Sequence, residues 1–196
     1  MRIVGGKARG LALATPKSNR IRPTTDRTRE SLFNILAHRP GFDLNRARVI
    51  DLFAGTGALG FEALSRGAEF ALFVDDGVEA QSLIRRNMEA MRMNRQAKIF
   101  RRDATKLGPR TGMAPFTLAF LDPPYERGLG ERALSSLDAG QWLAADALVV
   151  FEEAEKAVIG LPANFDLVDE RRYGASIVRF LQYASVKKIE TGEALP

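Results

Sequence analysis

Val49-Ile50-Asp51-Leu52-Phe53-Ala54-Gly55-Thr56-Gly57-Ala58-Leu59-Gly60 is the stretch that sets the fold. It opens on an apolar run of strand length, passes through a glycine-rich turn and leads into a segment that can start a helix. The alternation repeats downstream. Strands are expected at Val49–Leu52, Phe70–Val74, Lys98–Phe100, Thr117–Leu121 and Leu148–Phe151. Helical segments lie between them. The clearest is Val78–Met93, where Ala80, Leu83, Ile84, Asn87 and Met91 keep helical spacing. Short, nearly all-apolar strands separated by helices predict a buried parallel sheet. The last third departs from this pattern. Phe165–Arg171, a turn at Tyr173-Gly174 and Ser176–Tyr183 read as an antiparallel hairpin closing the sheet.

Working back toward the N-terminus, Ile3-Val4 and Leu11-Ala12-Leu13 flank a turn from Gly5 to Gly10, which predicts a small β-hairpin with Lys7 and Arg9 at its tip. Pro16 to Pro23 is a polar, basic connector. A helix follows, with Thr24 or Thr25 as N-cap and Asp26 in its first turn. Leu32, Phe33 and Leu36 would be its apolar stripe, with Arg27, Glu30 and Asn34 on the other side. The expected organisation is a basic hairpin and connector over residues 1–24, an α/β domain over 25–185, and a tail over 186–196.

The chain has 196 residues, enough for one domain with a sizeable core, and its 45% apolar and 27% charged composition is ordinary for a globular protein. With no cysteine, disulfides, thiolate metal sites and cysteine catalysis are excluded. The single His38 cannot anchor a histidine-rich metal centre, and its place at a helix end makes it a surface residue. No signal peptide or bilayer-length apolar run is present, so a cytoplasmic protein without metal is expected. The net charge of +5 is unevenly spread. Residues 1–48 hold eleven Lys/Arg and three Asp/Glu, a net of +8, and the remainder is mildly acidic. A basic segment on an acidic body suits a polyanion-binding arm or a merely solvated one. Composition leaves the two about even.

Each of the first four expected parallel strands runs into an aspartate: Asp51, Asp75, Asp103 and Asp122. In an open α/β sheet ligands bind outside the carboxyl ends of the strands. A lone aspartate there is more often a cap or turn former. Four on one rim are costly unless a ligand uses them. Gly55-x-Gly57-x-x-Gly60 has the spacing of a dinucleotide fingerprint, which taken alone would favour a nicotinamide dehydrogenase. Asp51 argues against that, because a pyrophosphate should meet helix N–H groups there and not a carboxylate. S-adenosylmethionine, which lacks phosphates, fits better: an acid near Asp51 for its ammonium group, Asp75 for the ribose hydroxyls and Asp103 for the adenine amine.

The fourth strand ends in Asp122-Pro123-Pro124-Tyr125. The carboxylate and a proline carbonyl offer acceptors to an exocyclic amine, the tyrosine offers a stacking face, and the prolines stiffen the turn. The bland alternative is a rigid strand-exit turn. The glycine loop on the same rim makes that the weaker reading.

With these motifs in place, the chain resembles the class I S-adenosylmethionine-dependent methyltransferases, and more narrowly the bacterial RsmD-like family of 16S ribosomal RNA guanine-N2 methyltransferases. The narrower resemblance is carried by Arg2-Ile3-Val4-Gly5-Gly6 and by Arg22-Pro23-Thr24-Thr25-Asp26-Arg27-Thr28-Arg29-Glu30 leading to Phe33-Asn34. The glycine loop and Asp-Pro-Pro-Tyr are shared by many methyltransferases. The resemblance implies a Rossmann-like fold: a mostly parallel seven-stranded sheet with a C-terminal antiparallel hairpin, helices on both faces and an N-terminal extension. It assigns cofactor binding to Asp51, Phe53, Ala54, Gly55, Thr56, Gly57, Asp75, Asp76, Asp103 and Ala104, and the target base to Asp122, Pro123, Pro124 and Tyr125. Arg2, Lys7, Arg9, Lys17, Arg20, Arg22, Arg27 and Arg29 would grip ribosomal RNA, within the small subunit, as a monomer. Thr28, where the family usually has an apolar residue, and Gly77, where it often has a small polar one, depart from the pattern. Two rival functions share these motifs. A DNA or RNA adenine-N6 methyltransferase would use the same tetrapeptide, and a non-catalytic RNA-binding assembly factor would keep the fold but is expected to lose a motif.

Overall fold

The structure is a computed structural model that describes residues 1–16, 25–125 and 127–184. Lys17, Arg20 and Arg22, most of the expected connector and the expected tail lie outside the described residues.

One seven-stranded sheet organises the molecule. Its strands are β1 (Arg48–Leu52), β2 (Phe70–Val74), β3 (Ala97–Phe100), β4 (Phe116–Leu121), β5 (Leu143–Ala154), β6 (Phe165–Tyr173) and β7 (Ser176–Tyr183), in the order β3-β2-β1-β4-β5-β7-β6. The first five are parallel to one another, and β7 inserts antiparallel between β5 and β6. The expected fold class is therefore the observed one. Because the chain builds outward through β2 and β3 and then returns to the other side of β1, the order switches between β1 and β4. That crevice is where such sheets bind ligands.

Alternation along the strands divides two cores. Val49, Phe73, Leu118 and Phe120 pack with Leu32, Phe33 and Leu36 of helix α1 (Asp26–Ala37), Phe61 and Leu64 of α2 (Ala58–Ser65) and Ile84 of α3 (Val78–Ala90). Ile50, Leu72, Val74, Ala119 and Leu121 face Ala133, Leu134 and Leu137 of α4 (Leu129–Ala139). Burying one such side chain contributes about 1.5–3 kcal/mol, so both faces must be covered.

Thr25 caps α1, its hydroxyl accepting from Thr28 N at 3.1 Å, and Asp26 sits in the first turn as expected. The β-hairpin also forms, with Ile3 N donating to Leu11 O at 3.0 Å and Gly10 N to Ile3 O at 2.9 Å. It lies against α2: Lys7 N donates to Ser65 O at 2.7 Å and Val4 N to the fully buried Glu62 at 2.8 Å. Ile3 and Leu13 join the core beneath α1. Asn87, 1% exposed, accepts from Ala14 N through Oδ1 at 2.6 Å and donates through Nδ2 to Thr56 O at 2.9 Å and Ala14 O at 3.3 Å.

Several boundaries differ from the sequence reading, most by one to three residues. Helix α3 ends at Ala90, where Met91 caps it and Arg92 turns left-handed at φ 54°. Strand β5 begins at Leu143, well before Leu148, because an irregularity in its pairing with β4 and Asp146 at φ 58° interrupt the alternation that marks a strand. The final turn is Gly174-Ala175, with Tyr173 still paired in β6.

Candidate active site

At the carboxyl ends of β1, β2, β4 and β5 lies a cavity of about 510 Å³, within the size range of small-molecule sites. All four strand-end aspartates line it: Asp51, Asp75, Asp103 and Asp122. So do Phe53, Ala54, Gly55, Thr56, Asp76, Ala104, Pro123, Pro124 and Tyr125. The sheet thus brings together segments more than seventy residues apart.

Their hydrogen bonds show how the loop is held. Gly55 N donates to Asp75 Oδ2 at 2.9 Å, and Gly77 N to Asp75 Oδ1 at 2.9 Å. Gly60 N donates to Asp51 Oδ2 at 2.9 Å. The α3 start has no side-chain cap, so the Gly77 departure leaves Asp75 itself as the acceptor there. Gly57 is set back from the cavity, unlike its neighbours in the expected cofactor set. It starts α2 at φ 77°, and a Cβ there would fall 2.6 Å from Phe61. Gly60 is required for packing as well, since a Cβ would lie 2.4 Å from the Phe73 ring.

The electrostatics follow from burial. Asp51 is 3% exposed, and loss of hydration pushes its carboxyl well above the usual range, with the charges of Asp122 and Asp75 adding to the shift. Burial likewise raises Asp75, although Gly55 and Gly77 donate to it. Asp103 moves the other way, lowered chiefly by the hydroxyl of Thr105, whose oxygen lies 2.7 Å from Oδ1. Two acids whose charge is disfavoured by burial therefore share the cavity with a third whose charge is favoured.

This chemistry tests the candidate ligands. Two N–H groups of the glycine-rich segment already serve carboxylates, so the loop offers no phosphate cradle and a dinucleotide fits poorly. Acceptor oxygens beside Leu59, Val74, Ala80 and Ala104 suit a ligand with an ammonium group, ribose hydroxyls and an apolar base. S-adenosylmethionine has those groups.

The other end of the cavity contains residues that the sequence reading did not assign. Thr25 and Thr28 at the start of α1, Glu152 of β5, Tyr173 of β6 and Ser176 of β7 line it beside Tyr125. Tyr125 donates its hydroxyl to Glu152 Oε1 at 2.7 Å, and Ser176 Oγ donates to the same oxygen at 2.8 Å. Burial first, then Glu152, pushes the Tyr125 hydroxyl upward, so it remains a donor. Glu152 had a signal in the sequence. It directly follows the expected strand Leu148–Phe151, as Asp122 follows its own.

Of the expected RNA-contacting residues, Arg2, Lys7, Arg9 and Arg27 are exposed. Arg29 requires a correction. It is 0% exposed and donates to Asp26 Oδ1 at 2.8 Å and to the Arg2 carbonyl, so it fastens the hairpin to α1 and cannot reach a nucleic acid. Among the described residues no group of acids and histidine could hold a metal ion, and no helix is long and apolar enough to cross a membrane.

The family model described as conserved hypothetical protein 95 matches residues 1–182. Ribosomal RNA small subunit methyltransferase D of Escherichia coli K12 is 39% identical over 184 residues, covering 93% of this chain and 89% of that protein. The Haemophilus influenzae protein of the same name is 32% identical, with 93% of each chain covered. The solved structure of yhhF from Escherichia coli superposes with a TM-score of 0.80 at 35% identity, over 94% of this chain and 98% of that one. The sheet order and the acid-rimmed, glycine-looped cavity define a class I methyltransferase fold. Within that class, the chain belongs to the RsmD-like family.

Proposed function

We propose that this chain transfers a methyl group from S-adenosylmethionine to the exocyclic N2 amine of a guanine in 16S ribosomal RNA, on an assembling or assembled small subunit in the cytoplasm. The observation that carries the reading is the convergence of Asp51, Asp75 and Asp103 with Asp122-Pro-Pro-Tyr125 in one cavity. The names of the relatives support ribosomal RNA as the substrate.

Asp51, Asp75 and Asp103 would hold the donor, which supplies an electrophilic sulfonium methyl. At the other end the chain's own groups do the positioning. The N2 lone pair of guanine is delocalised into the ring, so the amine is a poor nucleophile. Asp122 and the Pro123 carbonyl accept its hydrogens and favour a pyramidal nitrogen whose lone pair points at the electrophile. Tyr125 stacks on an extruded base, as base-modifying enzymes require. Alignment supplies much of the rate, because the methyl group is already activated. Lys7, Arg9 and Arg27 contact the RNA backbone, with Lys17, Arg20 and Arg22 of the same basic segment.

Incubating unmodified small ribosomal subunits, or their naked RNA, with the protein and S-adenosylmethionine and mapping the product by mass spectrometry tests this. N2-methylguanosine at one position is expected. N6-methyladenosine, or no RNA product, would replace the reading.

A further inference from the structure

Asp-Pro-Pro-Tyr alone cannot choose between guanine and adenine, since both present an exocyclic amine. Glu152 offers a basis for the choice. It projects from β5 into the end of the cavity occupied by Tyr125. Both of its side-chain hydrogen bonds among the described residues, from Tyr125 and from Ser176, fall on Oε1. They fix the side chain through one oxygen and leave the other, Oε2, without a hydrogen bond among the described residues, in a residue that lines the cavity.

We propose that Glu152 is a specificity residue that accepts the N1–H of the target guanine through Oε2, beside Asp122 at the N2 amine. The assignment rests on the guanine-N2 reading above. Along its Watson–Crick edge guanine presents N1–H next to the N2 amine, two adjacent donors. Adenine presents a lone pair at N1 next to its N6 amine. Carboxylates are acceptors when ionised. A wall of two therefore matches guanine, while adenine would set its N1 lone pair against the second. Sites built to hydrogen-bond a substrate discriminate strongly, because the wrong partner leaves a desolvated group unpaired.

The test compares guanine with 2-aminopurine, which keeps the N2 amine but has a lone pair at N1. Small-subunit RNA carrying either base at the mapped position, placed by ligation and assembled into subunits, is methylated under single-turnover conditions. The wild-type protein should prefer guanine. In Glu152→Gln the side-chain carbonyl can still accept both hydroxyls while an NH2 replaces Oε2. The guanine rate should fall roughly 10- to 100-fold, the 2-aminopurine rate should hold or rise, and cofactor affinity should not move. A guanine preference unchanged in Glu152→Gln overturns the assignment. So does an equal loss of preference in Tyr125→Phe, because Glu152 would then act only by orienting the ring. The wild-type comparison needs no variant to fold: equal rates on the two bases overturn this assignment alone. A wild-type protein that methylates neither overturns the guanine-N2 reading and this inference with it.

Discussion

The two ends of the cavity are built in different ways. The glycine-loop end comes largely from one continuous run, β1 through the loop into α2, closed by acids at the next two strand ends. The tyrosine end is assembled from segments far apart in the chain: Thr25 and Thr28, Pro123 to Tyr125, Glu152, and the Tyr173 and Ser176 pair flanking the last turn. The first end is held by backbone N–H groups donating to carboxylates, at Gly55, Gly77 and Gly60. The second is held by side-chain hydroxyls, with Tyr125 and Ser176 on Glu152 and Ser31 Oγ 2.9 Å from the Tyr173 hydroxyl. An end fixed by backbone depends on chain conformation. An end fixed by side chains can change its preferences one residue at a time.

Substitutions that damage one end and spare the other sharpen this division. The largest effect is expected from Asp122→Ala: methyl transfer should fall on the order of 10²–10³-fold, the cost of removing a group that acts at the reacting centre, while calorimetric titration finds cofactor affinity within a few-fold. An unchanged rate would remove Asp122 from the chemistry. Next is Gly60→Ala, whose added methyl meets the Phe73 ring. Overpacking of this kind costs about 1–3 kcal/mol, so the thermal midpoint should drop and cofactor affinity with it. Affinity equal to wild type would break the claim that the loop is a backbone device.

A smaller effect concerns Asp51 and pH. Its carboxyl is raised by burial, so the stability it contributes is full below the ordinary carboxylate value and is lost as pH rises through the raised folded value. The ligand-free thermal midpoint should therefore carry a falling component across that window. The extra stabilisation by S-adenosylmethionine should grow across the same window. Asp51→Asn should remove both slopes, raise the ligand-free midpoint at neutral pH by about 2–4 °C, the shift that ~1 kcal/mol gives at this size, and weaken the cofactor. Tyr125→Phe should have the smallest effect. The ring remains and one hydrogen bond is lost, so methyl transfer should slow about 3- to 10-fold with cofactor binding unaltered. A larger loss would make the hydroxyl part of the chemistry.

The same division explains what could be read from the sequence. Strand β2 and strand β7 carry the boundaries expected of them, because an uninterrupted apolar or alternating pattern is a local signal. The acids Asp51, Asp75, Asp103 and Asp122 were identifiable because each lies in or shortly after such a run. Glu152 was missed although it directly follows an expected strand, since β5 runs on past it to Ala154 and no glycine turn or proline marks it as a strand exit. Thr25, Tyr173 and Ser176 gave no sign, because only the pairing of β5, β6 and β7 and the placement of α1 bring them to Tyr125. Arg29 was misread for a related reason: charge is visible in a sequence and burial is not. Asn87 did leave a trace, as the one polar residue in the apolar stripe of α3.

That asparagine has a mechanical consequence. Its single amide grips Ala14 by both backbone groups and Thr56 by its carbonyl. The end of the N-terminal hairpin and the glycine loop are thus pinned to one rivet on α3. Any displacement that carries Ala14 away must strain the fastening of Thr56, so a pull on the arm is felt at the loop without crossing the sheet.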